Sequence, residues 1–293
     1  MRNLLEYIPF ICIATLVRGL PRAWALNLGK WLGQRAKHLQ GRRVSIARKN
    51  LQATFPEMSA TEVSETINAM FKHLGISFID MLRIDKYQGR QDLERYFEID
   101  NQESLIEALG LGRGCIILSG HVGFWEAGNF FLPLLGFTAG VVAKPMRNPR
   151  VDAFFSRLRQ ANGIHIINSR KGARGILRSL QKNQVVCILL DQHLSGQGSV
   201  TAPFFGRPAH TTTIITQMAT RYQIPIVTAF SYRQPDNTYQ CHFSKMFLLK
   251  GDLSQQNILD NTTLLNQLIE DGIRRDISQW FWLHRRWRPC CEK

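Results

Sequence analysis

The chain has 293 residues, and its apolar share of 44% is ordinary for a protein that buries a core, which excludes a disordered tail. A formal net charge of +15 favours an anionic partner, either a membrane surface, a nucleic acid or an acidic protein. The six cysteines show no C-x-x-C pair and no accompanying histidine set, so a metal site is not expected and a reducing compartment fits best. Cys290 and Cys291 have no assigned role.

The N-terminal region concentrates the positive charge, with ten Lys or Arg in the first 50 residues against the single acid Glu6. Its apolar run at 7–17 is too short to cross a bilayer, which takes about 20 helical residues. The following segment sets Trp24 and Trp31 at helical spacing beside basic residues, a pattern typical of an interfacial helix. We predict that residues 1–40 form a monotopic membrane anchor. The alternative is a helix packed on the protein's own core.

The rest of the chain predicts a helical segment followed by an α/β region. Ser59 and Glu62 have the spacing of a capping box, and apolar residues then recur at helical spacing as far as Leu82. From about Arg95, short apolar runs alternate with amphipathic segments, which predicts a mostly parallel central sheet flanked by helices. The predicted strands are 96–99, 115–119, 139–143, 164–167, 185–190, 226–230 and 239–243. The predicted helices are 102–109, 124–135, 151–160, 173–182, 211–222 and 262–275.

One predicted strand ends at Ser119 and is followed by His121 at the sheet edge, where sites form in parallel sheets. Glu126 comes five residues later, and on one continuous helix the two side chains would diverge by about 140°. Gly123 permits a turn, so we expect His121 off the helix and Glu126 in its first turn, within hydrogen-bond reach. A carboxylate that fixes the tautomer makes a neutral histidine a general base near pH 7. The structural alternative is a strand-end histidine and a glutamate that serves the helix dipole.

Further motifs follow in a fixed order. They are Arg147-Asn148-Pro149-Arg150, Asp191-Gln192, Pro203-Phe204-Phe205-Gly206 and Trp282-Leu283-His284-Arg285-Arg286. Together with His121-x4-Glu126, they resemble the lysophospholipid acyltransferase superfamily, and within it the bacterial lipid A biosynthesis (secondary, lauroyl or myristoyl) acyltransferases. The resemblance covers nearly the whole chain. It implies an acyltransferase domain over 41–293, helical over 41–94 and α/β over 95–293, behind the membrane anchor.

The resemblance also implies a reaction. His121 deprotonates a hydroxyl of a phosphorylated glycolipid, a lipid A precursor, while Glu126 orients the imidazole. The hydroxyl then attacks the thioester of acyl carrier protein, which is the co-substrate, and no cofactor is implied. Leu118 and Ile117 precede Ser119, so there is no G-x-S-x-G nucleophile elbow and no covalent acyl-enzyme is required.

Substrate-binding candidates surround this pair. Arg147 and Arg150 flank an Asn-Pro turn and suit phosphate recognition, as the resemblance also implies. Arg157 and Arg159 match a family region with functional arginine, although either can instead belong to a solvated helix face. Asp191 matches a position that organises the site or the acceptor, with a strand-end turn residue as the alternative.

Two more candidates complete the predicted site. Backbone N–H groups around Gly123 are candidates for an oxyanion site. Arg207, together with Phe204 and Phe205, is expected to shape a loop over the acyl or acceptor groove. The other histidines near these motifs are read as structural; they are His193, His210 and His284.

The expected partners are acyl carrier protein and an anionic membrane at the cytoplasmic face of the cell inner membrane. Other hypotheses are the same chemistry on a phospholipid, an ornithine lipid or a mannosylated lipid, and a non-catalytic lipid-binding protein. The aromatic and basic run at 280–287 allows nucleic-acid stacking, but membrane-interface anchoring or packing against the sheet explains it as well. Nucleic-acid binding is disfavoured because the charge clusters with the apolar anchor. No sequence pattern reveals the acyl chain length.

Overall fold

The computed structural model describes residues 2–169, 172–194 and 196–288, so Cys290 and Cys291 lie outside the described residues. The helices are α1 (Arg2–Gly19), α2 (Arg22–Leu39), α3 (Gly41–Thr54), α4 (Ala60–Leu82), α5 (Gly89–Tyr96), α6 (Glu103–Gly110), α7 (Gly128–Leu134), α8 (Pro149–Ala161), α9 (Gly172–Gln181), α10 (Ile214–Tyr222) and α11 (Gln255–Arg275). The strands are β1 (Phe97–Asp100), β2 (Cys115–Ser119), β3 (Ala139–Ala143), β4 (His165–Asn168), β5 (Val185–Leu189), β6 (Ser199–Phe204), β7 (Arg207–Thr212), β8 (Ile226–Arg233) and β9 (Tyr239–Phe243).

Seven of these strands form the central sheet, in the order β1-β9-β8-β2-β5-β3-β4. All neighbouring pairs are parallel except β8 and β9. The sheet is buried on both faces, because Ile116 and Leu118 of β2 enter one hydrophobic core while Cys115 and Ile117 enter the other. The predicted α/β fold with a mostly parallel central sheet is confirmed, and β2 and β5 end at the same edge.

The sequence prediction failed at four places, of which one is the start of α11, at Gln255 rather than at the predicted residue 262. It missed the antiparallel hairpin of β6 and β7, and it began a helix at residue 211 where the threonines still pair in β7. β-Branched threonine favours the strand at that point. It also extended α7 backwards to Phe124, although the Phe124 N–H donates to Ser231 O of β8 and residues 125–127 form a turn. The capping box of Ser59 and Glu62 at the start of α4 is confirmed.

The N-terminal helices pack on the core with one face and expose the other. α2 crosses α4 so closely that a Cβ on Gly33 would lie 2.1 Å from the backbone oxygen of Phe71. On the outer face, Trp24, Trp31 and Leu39 are 69%, 51% and 86% exposed. α2 therefore packs on the protein's own core, as the alternative held, and it also presents an exposed apolar surface. The membrane anchor over residues 1–40 stays a prediction. Within the described ranges, no helix has the length and hydropathy needed to cross a membrane.

A buried ionic network ties these helices to the sheet. Asp80 of α4 is fully buried and accepts hydrogen bonds from Arg233 Nη1 at 3.0 Å, from the Tyr87 hydroxyl at 2.9 Å and from the Tyr239 hydroxyl. Arg22 of α2 lies 3.8 Å from the same carboxylate. Because a buried charge is costly unless it is paired, this network fixes α2 and α4 against β8 and β9.

Candidate active site

A cavity of about 500 Å³ lies against the sheet and opens at the edge where β2 and β5 end. Its rim is polar and includes His121, Glu126, Arg159 and Gln192. Its inner wall is mainly apolar, with contributions from Ile117, Phe131, Leu132, Val141, Cys187, Leu189 and Phe243. The cavity thus joins titratable groups at one end to a lipophilic interior at the other.

His121 lies on the bend after β2, off any helix, as predicted. Its Nδ1 is 2.8 Å from Oδ1 of Asp191, and its backbone N–H donates to Oδ2 at 2.9 Å. The Trp280 indole N–H donates to the same Oδ2 at 2.8 Å. An ionised carboxylate only accepts, so Nδ1 must carry the proton and Nε2 is left as the basic nitrogen of the ring. The amide nitrogen of Gln192 lies 3.2 Å from Nε2.

The environment makes the imidazole and the carboxylate a charge-matched pair. Burial by itself would lower the pKa of His121, but the charge and hydrogen bond of Asp191 and the charge of Glu126 raise it above the ordinary 6.5. Burial likewise would raise the pKa of Asp191, whereas His121 and the Trp280 hydrogen bond lower it to about 2. Asp191 is therefore a carboxylate at neutral pH and favours the protonated imidazole.

The expected hydrogen bond between Glu126 and His121 is not found in the described structure. Glu126 sits in the turn before α7 rather than in its first turn, and its Oε1 accepts from Arg159 Nη2 at 2.7 Å. Its Oε2 accepts from Arg159 Nε at 3.0 Å and also from the Asn129 amide. Arg159 thus binds both carboxylate oxygens of Glu126, while Asp191 is the carboxylate that is hydrogen-bonded to His121. Glu126 therefore influences His121 through its charge rather than by contact.

The structure separates the predicted arginines. Arg159 lines the cavity, whereas Arg157 is exposed and its Nε donates to Ala153 O of its own helix at 3.3 Å. Arg147 and Arg150 are exposed at the start of α8, and the described wall of the cavity includes neither. Of the two arginines on α8 that the sequence left open, Arg159 is the one in the site.

The predicted roles of Gly123 and Arg207 do not fit their positions. Of the N–H groups around Gly123, that of Gly123 donates to Gln279 O at 2.9 Å and that of Phe124 donates to Ser231 O at 2.8 Å, so neither of these two is free to serve an oxyanion. With φ at +60° and Ser231 O only 2.0 Å from where a Cβ would lie, this glycine is needed for the close approach of the turn to β8. Arg207 lies over the Trp287 ring at 4.2 Å and is not part of the described cavity wall.

The C-terminal aromatic run packs against the sheet through its buried members, which was one of the alternatives left open for it. Trp280 and Trp282 are 1% and 0% exposed. Arg286 is also buried and donates to His210 O and to the Thr211 hydroxyl, both at 2.6 Å. These side chains are therefore not available to stack on bases.

Comparison with known proteins identifies the family. The sequence profile described as bacterial lipid A biosynthesis acyltransferase matches residues 2–289. The chain belongs to this family. Like its relatives it is an acyltransferase. It is 27% identical over 273 residues to the lipid A biosynthesis palmitoleoyltransferase of Escherichia coli strain K12, covering 92% of this chain and 86% of that protein.

One further relative and one solved structure are also similar to this chain. The lipid A biosynthesis lauroyltransferase of the same Escherichia coli strain is 27% identical over 284 residues, covering 95% of this chain and 90% of the relative. The crystal structure of a 1-acyl-sn-glycerophosphate acyltransferase from Thermotoga maritima has a TM-score of 0.41 and 12% identity, covering 89% of this chain and 99% of that one.

The strand register shows how far the cavity of the acyltransferase extends from His121. Ile117 pairs with Cys187 across β2 and β5, and Cys187 pairs with Val141 across β5 and β3. This row lies four residues before His121 along the strand direction, or about 13 Å at the usual rise per residue. Burial raises the pKa of the Cys187 thiol to about 12, so this side chain is neutral. The row forms an uncharged inner wall.

Two residues of the candidate site, Trp280 and Gln192, were not among the predicted site residues. A buried indole needs a partner for its N–H, which is a usable signal, but the sequence does not tell which acceptor 89 positions away it meets. Gln192 follows Asp191 directly, so its position after a strand and its place in the Asp191-Gln192 motif were the available signals.

Proposed function

We propose that this acyltransferase moves a fatty acyl chain from the thioester of acyl carrier protein to a hydroxyl of a lipid A precursor, a phosphorylated glycolipid. The observation that carries the proposal is the His121–Asp191 pair at the rim of a cavity with an apolar interior. The names of the relatives support lipid A as the acceptor.

In the proposed step, His121 Nε2 takes the proton of the acceptor hydroxyl as its oxygen attacks the thioester carbonyl carbon. The new C–O bond forms, the C–S bond breaks, and the departing thiolate receives the proton from the imidazolium. Asp191 stabilises the imidazolium without taking the proton, since its pKa is about 2. The acceptor hydroxyl displaces the amide of Gln192, which lies 3.2 Å from Nε2. A positioned general base of this kind contributes about 10²- to 10⁴-fold to the rate.

Glu126 is proposed to act mainly through Arg159. The bidentate pair holds the guanidinium at the cavity rim, where its planar donors suit a phosphate or carbonyl oxygen. Arg147 and Arg150 keep a proposed role on the exposed surface beside the cavity mouth, because the neighbouring Lys144 and Met146 line the cavity. There they can attract the phosphates of the acceptor before it enters.

The pH dependence of transfer is expected to reflect the raised pKa of His121. The base must be neutral, so kcat/KM should fall as the pH drops through a value above 6.5. Glu126→Gln removes a charge that raises this pKa, and the acid limb of the residual activity should therefore move to lower pH. A profile of kcat/KM against pH for both proteins tests this. An acid limb that does not move would contradict the proposed electrostatic link.

The apolar interior is proposed to hold the acyl chain, since it continues inward from the catalytic histidine. Val141→Phe places a ring in the deep row, and we expect it to lower kcat/KM for the longest accepted acyl chain about tenfold relative to a shorter one. Competition between acyl carrier protein thioesters of different lengths measures this ratio. Met146→Phe, at the half-exposed mouth, adds a ring without filling the deep row and should leave the ratio unchanged. Equal ratios in both variants would exclude this path for the chain.

The proposed location is the cytoplasmic face of the cell inner membrane, with α1 and α2 in the interface. Exposed Trp24, Trp31 and Leu39 beside basic residues support it, as does the net charge of +15, which suits both anionic lipids and an acidic carrier protein. Loss of vesicle binding after Trp24→Ser/Trp31→Ser would support this attachment, and unchanged binding would contradict it.

The decisive test of the function is transfer by the purified full chain. Acyl carrier protein thioester is supplied with a lipid A precursor, a phospholipid, an ornithine lipid or a mannosylated lipid, and products are identified by mass spectrometry. We expect ester formation on the lipid A precursor. Transfer to another acceptor alone would overturn the acceptor assignment, and use of only other thioesters would overturn the donor.

A further inference from the structure

A second, smaller cavity lies between α2 and α4, apart from the catalytic one. Its volume is about 170 Å³, and every side chain that lines it is polar: Gln34, Lys37, His38, Asn68 and Lys72. It shares no lining residue with the catalytic cavity. No carboxylate belongs to the described wall, so two ammonium groups share the space with neutral donors and without a counter-charge.

The backbone fixes the shape of this α2–α4 pocket. Gly33 of α2 meets the backbone of Phe71 of α4 so closely that no side chain fits between them. Lys37 follows Gly33 by one helical turn, and Lys72 follows Phe71 directly. Lys37 Nζ also donates to Asn68 Oδ1 across the two helices. Both lysines are half-buried, and they line the pocket from two helices that are held in close contact.

The pocket adjoins the exposed apolar face of α2. Trp31, Gln34 and His38 follow one another at spacings of three and four residues, which places them on one side of the helix. Trp31 is 51% exposed, and Arg35 lies over its ring at 5.4 Å. Tryptophan and arginine together are typical of the headgroup layer of a membrane. A group bound in the pocket would therefore lie at the depth of lipid phosphates.

We propose that the α2–α4 pocket binds a phosphate group, and that the headgroup of an anionic membrane lipid supplies it. Two ammonium groups, an imidazole and two amides offer donors to the oxygens of one phosphate, and the missing counter-charge gives the pocket the matching sign. The site is distinct from the acyl-transfer centre, and its occupation would set the orientation of the chain on the membrane rather than the chemistry.

The test compares variants of the full chain in a flotation assay. The vesicles are phosphatidylcholine alone or phosphatidylcholine with about one-quarter phosphatidylglycerol. Asn68→Leu removes the acceptor of Lys37 without changing the charge, and we expect about a tenfold lower partition onto the anionic vesicles. Lys37→Ala/Lys72→Ala should lose at least tenfold more than Arg42→Ala/Lys49→Ala, a control that removes two charges from the exposed surface of α3.

Diffuse attraction predicts a different pattern, in which the two double variants lose equally and Asn68→Leu binds as the wild type. That pattern would overturn the proposal. Thermal melting of each variant shows that it remains folded. Vesicle binding does not depend on turnover, so this result is separate from success or failure of the acyl-transfer assay.

Amine labelling distinguishes the source of the phosphate. Anionic vesicles should slow the modification of Lys37 and Lys72 relative to Lys49, as read by mass spectrometry. Inorganic phosphate is added in a parallel sample at constant ionic strength. Protection by the anionic vesicles but not by inorganic phosphate supports the headgroup, whereas protection by inorganic phosphate alone overturns that source.

Discussion

Replacing His121 by alanine is expected to reduce acyl transfer by about 10³-fold or more, because the substitution removes the group proposed to accept the hydroxyl proton. The fold should survive. Asp191 keeps two hydrogen bonds in the variant, from the backbone N–H of residue 121 and from the Trp280 indole. The measurement is kcat/KM for transfer from acyl carrier protein thioester, with thermal melting on the same preparation.

A matched control is available in His242→Ala. His242 is a half-exposed histidine on β9 whose Nδ1 lies 3.9 Å from Asp100 Oδ2, and it is not part of the described wall of the cavity that His121 lines. Its replacement should leave transfer close to the wild-type rate. If His121→Ala were folded and retained wild-type turnover, the proposed general base would have to be abandoned, and the non-catalytic lipid-binding hypothesis would gain support.

The position of His121 was predictable from sequence because it depends on local rules. An apolar strand of five residues followed by glycine and a polar residue predicts a side chain at the carboxyl edge of a parallel sheet. The same rule found Asp191 after β5. Their contact depends on β2 and β5 being neighbours in the sheet, and the order of strands is a property of the whole chain.

The Glu126 prediction shows where spacing alone fails. The separation of five residues shows that His121 and Glu126 cannot face each other on one helix. It does not show which other side chains can bind the Glu126 carboxylate. Arg159 comes from α8, 33 residues later, and its fork geometry satisfies both glutamate oxygens at once. The choice between Arg157 and Arg159 likewise depended on which face of α8 turns towards the cavity.

The hairpin of β6 and β7 was missed, and the packing of the C-terminal run at 280–287 was left open, for the same physical reason. β6 and β7 form a separate two-stranded sheet. Residues near the C-terminus stabilise this hairpin. Trp287 Nε1 donates to Phe204 O at 3.0 Å, and Arg286 donates to the Thr211 hydroxyl. Neither strand has an apolar pattern strong enough to predict it without those partners. Tertiary contacts from the end of the chain therefore determine local structure some 80 residues earlier.

Asp191→Asn is expected to lower kcat by about 10³- to 10⁴-fold with the fold retained, for a reason that the hydrogen bonds make specific. The carboxylate receives three donors: the His121 backbone N–H and the Trp280 indole at Oδ2, and His121 Nδ1 at Oδ1. An asparagine has one accepting oxygen, and it is taken by the two fixed donors, the His121 backbone N–H and the Trp280 indole N–H. Its NH2 group then faces Nδ1, which must become an acceptor, so the proton moves to Nε2 and the base is lost.

Glu126→Gln provides the contrast that tests this assignment. It also lowers transfer, but by releasing Arg159, so its effect should fall mainly on KM for the acceptor and leave the histidine tautomer unchanged. Nitrogen NMR of the labelled imidazole, recorded at a pH above its pKa so that the ring is neutral, distinguishes the two tautomers directly. The proton should be on Nδ1 in the wild type and in Glu126→Gln, and on Nε2 in Asp191→Asn. If Asp191→Asn kept the proton on Nδ1, Asp191 would not set the tautomer. If Glu126→Gln moved the proton, the orienting role would belong to Glu126.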